Sequence, residues 1–434
     1  VLVKTRQQEL SYPSGDQNVY TTYAGTGGVP IGAWLRKLLF AVRFGEIKIL
    51  LSNDLTADSR IMIYRAIGQR VRQIAPFFKY DHDPYIVVTD DGRLVWMLDG
   101  YTTTDRYPYS DPVPGVGNYI RNSVKATVDA YNGAVTFYLA DSTDPIVRAY
   151  ARAFPGLLKP LDAMPASLRS QVRYPEDFFA IQARKYATYH MRDPQVFYNK
   201  EDLWAIPRRT VEGRDREMEA YYTIMRLPGE KKEEFILLTL FNPSRRDNMI
   251  AWLAARSDPP NYGRLLVYDL PKQKLVFGPR QIDARIDQEP VISQQLSLWN
   301  QRGSTVIRGS LVAIPLDQSL IYVQPLYLAA SEQGAVPELR RVIVAYGNQI
   351  VMEQTLAQSL ARLFGARPTG PPAAATAAAR PGGAEPAGER LLAQRALEIW
   401  NRAQDALRRG DWTAYGAEQK RLEDMLRALA QGRR

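Results

Sequence analysis

The sequence predicts an α+β fold with mixed, largely antiparallel sheets, interspersed helices and a C-terminal two-helix hairpin. Three observations predict it. Strand-like runs dominate from Tyr221 onward, namely YYTIMRL, EFILLTLF, GRLLVYDL, STVIRGSLVAI, SLIYVQPLYL and LRRVIVAYG. Helical periodicity interrupts them without the regular strand-helix alternation of a parallel sheet. After Gly365 the composition shifts to alanine, proline and glycine before two amphipathic stripes close the chain.

Taken in order, VLVKT reads as a strand already under way, and with Val1 in place of methionine we expect a fragment of a longer protein. Gly25, Gly27 and Gly28 make a flexible loop, and Pro30 opens a helix over residues 30–44, where the first turn tolerates proline. A second helix is expected over 58–75, capped by Asp58 or Ser59 and stopped by Pro76, because Ile61, Tyr64, Ile67, Val71 and Ile74 recur at helical spacing. YIVV, a turn at Asp90-Asp91-Gly92 and RLVWML form a hairpin. Asn132-Gly133 marks another, with arms at 118–131 and 134–139, although the first arm also reads as a helix. Further helices are expected over 145–153, 176–190, 248–256, 291–300 and 356–364.

The expected division is an N-terminal α+β part over 1–215, a strand-rich part over 216–365, a linker over 366–388 and a helical hairpin over 389–434. The linker is too poor in large apolar side chains to bury a core, and its prolines keep it extended. In the hairpin, Leu391, Leu392, Ala396, Ile399, Trp400, Ala403 and Leu407 form one stripe, with Tyr415, Leu422, Met425, Leu426 and Leu429 forming the other. Gly410-Asp411 between them supplies a stop and a cap.

With 434 residues, 45% of them hydrophobic, the chain can bury a large core. Its net charge of +10 favours anionic partners, but the basic residues are interspersed with acids and never reach a run of five. No nucleic-acid partner is expected. The absence of cysteine excludes disulfides, thiolate nucleophiles and zinc sites built on sulfur. The most apolar segment, WLRKLLFAVRFGEIKILL, is broken by Arg36, Lys37, Arg43, Glu46 and Lys48, so it cannot cross a bilayer. The amphipathic helix over 30–44 and those of the C-terminal hairpin could lie on a membrane with their cations toward lipid phosphates; core helices read the same.

Of the two histidines, His190 is the better candidate base. It lies near Tyr186, Tyr189, Asp193, Asn199 and Asp202, so a carboxylate could orient it; the alternative is a helix-end histidine that satisfies a carbonyl or packs on tyrosine. No GxSxG elbow supports a serine triad. Two acidic clusters, Asn53/Asp54/Asp58 and Asp81/Asp83/Asp90/Asp91, offer oxygen ligands of the kind calcium takes, with Asp54, Asp58 and Asp83 as the candidates. Capping by Asp54 or Asp58 and an ordinary turn at Asp90-Asp91-Gly92 are the competing readings. The glycines at 25–28 could face a phosphate, but they lack a P-loop lysine and hydroxyl and also read as a tight reversal. No cofactor is expected.

Saccharide sites need flat rings and planar polar groups, which makes Tyr101, Tyr107, Tyr189, Tyr198, Asn199, Trp299 and Asn300 the ligand-binding candidates. The last two belong to a polar stretch with Gln281, Arg285, Asp287, Gln288 and Arg302. For catalysis the residues to test are Asp99, Asp105, Arg106, His190 and Asp193. The same side chains also make good polar packing at junctions.

The densest motif is YATYHMRDPQVFYNKEDLW over 186–204. It stands with TTYAGTGGVPIG, DGYTTTDRYPYS, NYIRNSVKATVDAYNGAVTFY and LSLWNQRGSTVIRG. Together they resemble uncharacterised protein family 0182, a group of large bacterial multi-pass membrane proteins of unknown function. The resemblance implies that this chain is the C-terminal extracytoplasmic, soluble part of a cell-membrane protein. Its partners would be its own N-terminal transmembrane region and an envelope polymer, lipid or protein. A binding or scaffolding role at the cell envelope is expected; the alternative is a hydrolase or transferase acting there on a polysaccharide or lipid-linked substrate.

Overall fold

The N-terminal residues build a small layer of short strands under a helical hairpin. The strands and helices are β1 (Leu2–Val3), β2 (Glu9–Ser14), β3 (Gln17–Thr21), β4 (Val29–Pro30), α1 (Trp34–Phe44), α2 (Lys48–Leu51), β5 (Arg60–Ile61) and α3 (Ile67–Ile74). This computed structural model describes residues 1–365 apart from Asp16, residues 212–213, Lys272, Arg302, residues 317–318 and 331–334, and also describes Arg421. The chain divides into two compact units, Val1–Arg367 and Pro368–Arg434. The expected linker and helical hairpin lie outside the described residues.

Two expected helices are shorter than the sequence suggested. β5 pairs antiparallel with both β1 and β4, so Pro30 and Ile61 are strand residues, and the helices start only at Trp34 and Ile67. Tyr64 has a positive φ of 50°, which a helix does not allow. Asp58 and Ser59 therefore cap nothing; the Ser59 hydroxyl instead donates to Lys4 O at 2.9 Å. Gly32 is required by close packing, since a Cβ there would meet Ala57 O at 2.2 Å.

A six-stranded sheet follows, with order β11-β10-β9-β8-β6 and β7 also paired to β8. Its elements are β6 (Lys79–Tyr80), β7 (Tyr85–Val88), β8 (Leu94–Thr104), β9 (Tyr119–Asp129), β10 (Val135–Leu139), α4 (Pro145–Ala153), β11 (Leu158–Pro160) and the short α5 (Ala166–Arg169). The arm that also read as a helix is the long strand β9. Alternation sends Leu98, Val124, Ala126 and Phe137 against α3 and α4, and Val95, Met97 and Tyr138 against Met164 and Leu168 on the other face. Only β11 runs parallel to its neighbour, reached through α4 as the crossover.

The remainder comprises α6 (Glu176–Tyr189), α7 (Pro194–Asn199), β12 (Trp204–Ala205), β13 (Arg208–Val211), β14 (Arg214–Glu217), β15 (Tyr221–Arg226), β16 (Glu233–Pro243), β17 (Ala251–Arg256), β18 (Leu265–Asp269), α8 (Pro279–Gln288), α9 (Pro290–Trp299), β19 (Ser304–Arg308), β20 (Val312–Leu316), β21 (Ser319–Ala330), β22 (Glu338–Tyr346), β23 (Gln349–Glu353) and α10 (Leu356–Phe364). The β15 to β18 sheet and the β19 to β23 sheet share the largest core. Ile236, Leu238, Leu240 and Trp252 of the first meet Ala313, Tyr322, Leu326 and Ile343 of the second, with Ile282 and Ile292 from the helices. The opposite face of the first sheet carries Leu237, Phe241 and Leu253, which pack on Phe179, Ala183 and Ala187 of α6. Burial on both faces explains why EFILLTLF is a continuous apolar run rather than an alternating one. It also corrects the helix expected over 248–256: β17 is a strand buried at every position, so no polar alternation marks it.

Candidate functional site

Where the six-stranded sheet meets α6, opposite charges are taken out of water together. Asp99 on β8 and Lys125 on β9 are direct cross-strand partners, both 3% exposed, and their side chains form an ion pair. Asn122 donates to Asp99 at 3.0 Å, and the Lys125 ammonium donates to the Tyr262 hydroxyl at 2.7 Å. Burial pushes the Asp99 carboxyl above the usual range, while Lys125 and Asn122 pull it down. Burial also raises the Tyr262 hydroxyl, although the residue as a whole is 36% exposed.

The start of α6 is clasped to the loop after β6. Asp81 accepts from the Tyr101 hydroxyl, from Asp83 N at 3.0 Å and from Asp177 N at 3.1 Å. Asp177 in return accepts from His82 N at 2.9 Å and contacts His82 Nδ1 at 2.8 Å. Burial lowers the His82 pKa, but Asp177, Asp81 and Glu176 outweigh it and the net direction is upward. Asp81, His82 and Asp177 are close enough to share a cation, and Asp54, Asp58 and Asp83 are not members of that group. Both Asp81 oxygens are already hydrogen-bonded to protein donors, leaving it a poor ligand. Asp83 pairs with Arg173 at 2.8 Å, and Asp54 accepts from Gln7 at 3.1 Å. Asp58 is exposed.

Beside this junction lies a groove of about 910 Å3, lined by residues of the loop between β8 and β9, of α6, and of β17 and β18. Phe178 links the two places. It packs on Tyr101 with ring centroids 6.1 Å apart and also faces the groove. Tyr107, Tyr109, Tyr119, Tyr186 and Tyr189 surround an apolar floor of Phe178, Leu265 and Val267. Tyr107 stacks on Tyr119 at 5.6 Å and 23°, and Asn118 holds its backbone through a donor at 2.7 Å and an acceptor at 3.0 Å. Tyr109 is fully exposed with a positive φ of 58°. Lys185 and Asp111 form an ion pair at the rim.

The structure brings Tyr107 and Tyr189 together in this groove, with Tyr101 directly behind Phe178. The other named residues lie elsewhere. Asp105 and Arg106 are exposed at the end of β8. His190 caps the end of α6 and stacks on Trp204 at 3.7 Å, with its side chain 8% exposed. Its Nδ1 lies 3.2 Å from Tyr186 O, while Nε2 is buried without a hydrogen-bond partner among the described residues, 3.8 Å from Asp202. Asp193 caps α7 through Gln195 N at 2.8 Å and Val196 N at 3.2 Å. Tyr198 is exposed, and Asn199 donates to Glu201 at 2.9 Å. Trp299 lies under Arg341 at 5.3 Å, and Asn300 closes α9; neither lines the groove. Arg302 lies outside the described residues.

Sequence reasoning missed Lys125, Arg173, Tyr262 and Asp144. Lys125 carried a signal, a cation inside the apolar strand SVKATV. Asp144 is fully buried, caps α4, and accepts from Ser123 at 2.6 Å, Thr102 at 2.5 Å and Tyr119 at 2.8 Å. Burial raises its pKa, yet these hydrogen bonds together hold it below the usual range.

The model of an uncharacterised protein family, UPF0182, matches residues 1–299. The chain belongs to this family. It is 55% identical over 433 residues to a UPF0182 protein of Geotalea uraniireducens, covering 99% of this chain and 47% of that relative. UPF0182 proteins of Geobacter sulfurreducens and Pelotomaculum thermopropionicum are 54% and 50% identical, with the same coverage. The chain thus spans about half the length of the curated relatives it matches. No solved structure matches it. Among the described residues of this UPF0182 chain, no helix is long and apolar enough to cross a membrane.

Proposed function

We propose that this UPF0182 chain is the extracytoplasmic part of a cell-membrane protein and that it binds an extended, hydroxyl-rich envelope polymer without transforming it. The observation that carries this reading is the groove of about 910 Å3 with five tyrosines around an apolar floor. Flat rings cover sugar faces, while Asn118, Gln182 and the tyrosine hydroxyls supply planar and rotatable polar groups at the edges. The carboxylate lining it, Asp111, is paired with Lys185, and the buried acids Asp81, Asp99 and Asp144 are each satisfied within the protein. That is the electrostatics of a binding surface rather than of paired acid and base groups awaiting a substrate.

The test is titration of soluble fragments of a bacterial envelope polysaccharide into the chain, with Tyr107→Ala and Tyr189→Ala as variants. Each should weaken binding about tenfold, in line with the loss of one ring contact. Unchanged binding in both variants would remove the groove from the reading. The rival proposal, an envelope-acting hydrolase or transferase, predicts that the polymer is cleaved or modified and that His190→Gln or Asp105→Asn abolishes that turnover.

A further inference from the structure

The hairpin of α1 and α2 has two apolar faces, and the fold uses one. Phe40 and Ala41 of α1 and Ile49 and Leu50 of α2 pack inward on Ile31, Leu55 and Ile61. Leu35, Leu38, Leu39 and Val42 follow the spacing i, i+3, i+4, i+7 that normally marks a core-facing stripe. Here most of that stripe is turned outward: Leu38 is half-buried, but Leu35 and Leu39 are each 60% exposed and Val42 is 74% exposed. Trp34, Ile47 and Leu51 extend it at 66%, 65% and 70% exposed. Single exposed apolar residues need no explanation, but a contiguous patch on one hairpin does. Gly45 sets the geometry. Its φ of +63° ends α1 and lets Glu46 N return to Ala41 O at 3.0 Å, so the two helices turn back on each other.

The charge beside the patch selects the occupant. Residues 34–51 carry Arg36, Lys37, Arg43 and Lys48 against the single carboxylate of Glu46. Among the described residues none of these four cations is ion-paired; Arg36 donates to Pro30 O at 3.2 Å and Arg43 to the Tyr64 hydroxyl at 2.6 Å, both neutral acceptors. A second copy seated face to face here would bring like charges together. A bilayer with anionic headgroups satisfies both features, taking the leucines and Trp34 into the acyl boundary and the cations onto phosphate.

We propose that the α1–α2 hairpin lies in the interface of an anionic lipid bilayer through Trp34, Leu35, Leu39, Val42, Ile47 and Leu51, with Arg36, Lys37, Arg43 and Lys48 on the headgroups. This surface is separate from the tyrosine-lined groove and stands whether or not the groove binds a polymer. The test is co-sedimentation of the whole 434-residue chain with vesicles of mixed phosphatidylglycerol and phosphatidylethanolamine, against vesicles of phosphatidylcholine alone. Binding should be strong on the first, weak on the second, and should fall as salt screens the headgroups. Leu39→Glu with Val42→Glu should abolish it while circular dichroism stays unchanged, because both side chains face solvent. Arg36→Gln with Lys48→Gln, which keeps the apolar patch, should weaken it roughly 30-fold. Equal binding to both vesicle types, or binding that neither variant alters, overturns the proposal. So does the absence of vesicle binding together with self-association that Leu39→Glu with Val42→Glu breaks, which would make a second copy the occupant.

Discussion

Asp99 and Lys125 hold each other's charge in a place water does not reach, so their value to the fold differs according to whether one or both are replaced. Asp99→Ala alone should destabilise the protein by about 3–5 kcal/mol, because it strands the ammonium of Lys125. Asp99→Leu with Lys125→Met should recover most of that loss, since well-packed apolar replacements of a buried pair are often neutral. Urea unfolding of the single and double variants measures both. His82 provides a pH-dependent counterpart. Its folded pKa is raised by Asp177, Asp81 and Glu176 against the opposing effect of burial, so its contribution is fully present below the ordinary histidine value. Stability should therefore decline as pH rises from about 6.5 through the raised folded value, and His82→Ala should flatten that decline in thermal unfolding followed by pH. At this scale the sequence was partly legible. Asp99 stood out, but its partner did not, because the pairing depends on a β8/β9 register that no local pattern reveals. His190 could be read as a base or as a packed helix end; its stacking on Trp204 was invisible although both lie in the one motif, because it depends on how α7 returns the chain to β12.

The elements that read correctly are those whose local pattern agrees with their tertiary setting. α10 begins and ends where its spacing says, with Thr355 and Gln358 forming a reciprocal cap. Those that failed had a tertiary cause. β17 is buried on both faces and loses the alternation that betrays a strand, and Ile61 joins a sheet although its spacing from Val71 is helical. β16 and β17 are buried on both faces, and Trp252 of β17 is the largest fully buried side chain among the described residues, stacked on Tyr268 at 4.1 Å. Trp252→Ala should cost about 3–5 kcal/mol, through lost transfer energy and the cavity left behind. A denaturation midpoint within error of the unmodified chain would mean that this sheet is not the centre of cooperative stability.

For the whole molecule, the α+β class and the largely antiparallel sheets were legible because strand runs and helix periods are local signals. The meeting of two tyrosine-rich motifs was not, since it is produced by α6 crossing between the six-stranded sheet and the β15 to β18 sheet. That crossing joins a hydrogen-bonded and ion-paired junction, which fixes α6, to a groove whose rings are left facing solvent. The arrangement supports a rigid surface for binding. The most direct measurement is hydrogen exchange of the chain with and without a soluble envelope polysaccharide. The account predicts added protection concentrated in residues 107–119 and 178–189, with the polymer recovered intact. Protection centred elsewhere, or a polymer recovered cleaved, would contradict it.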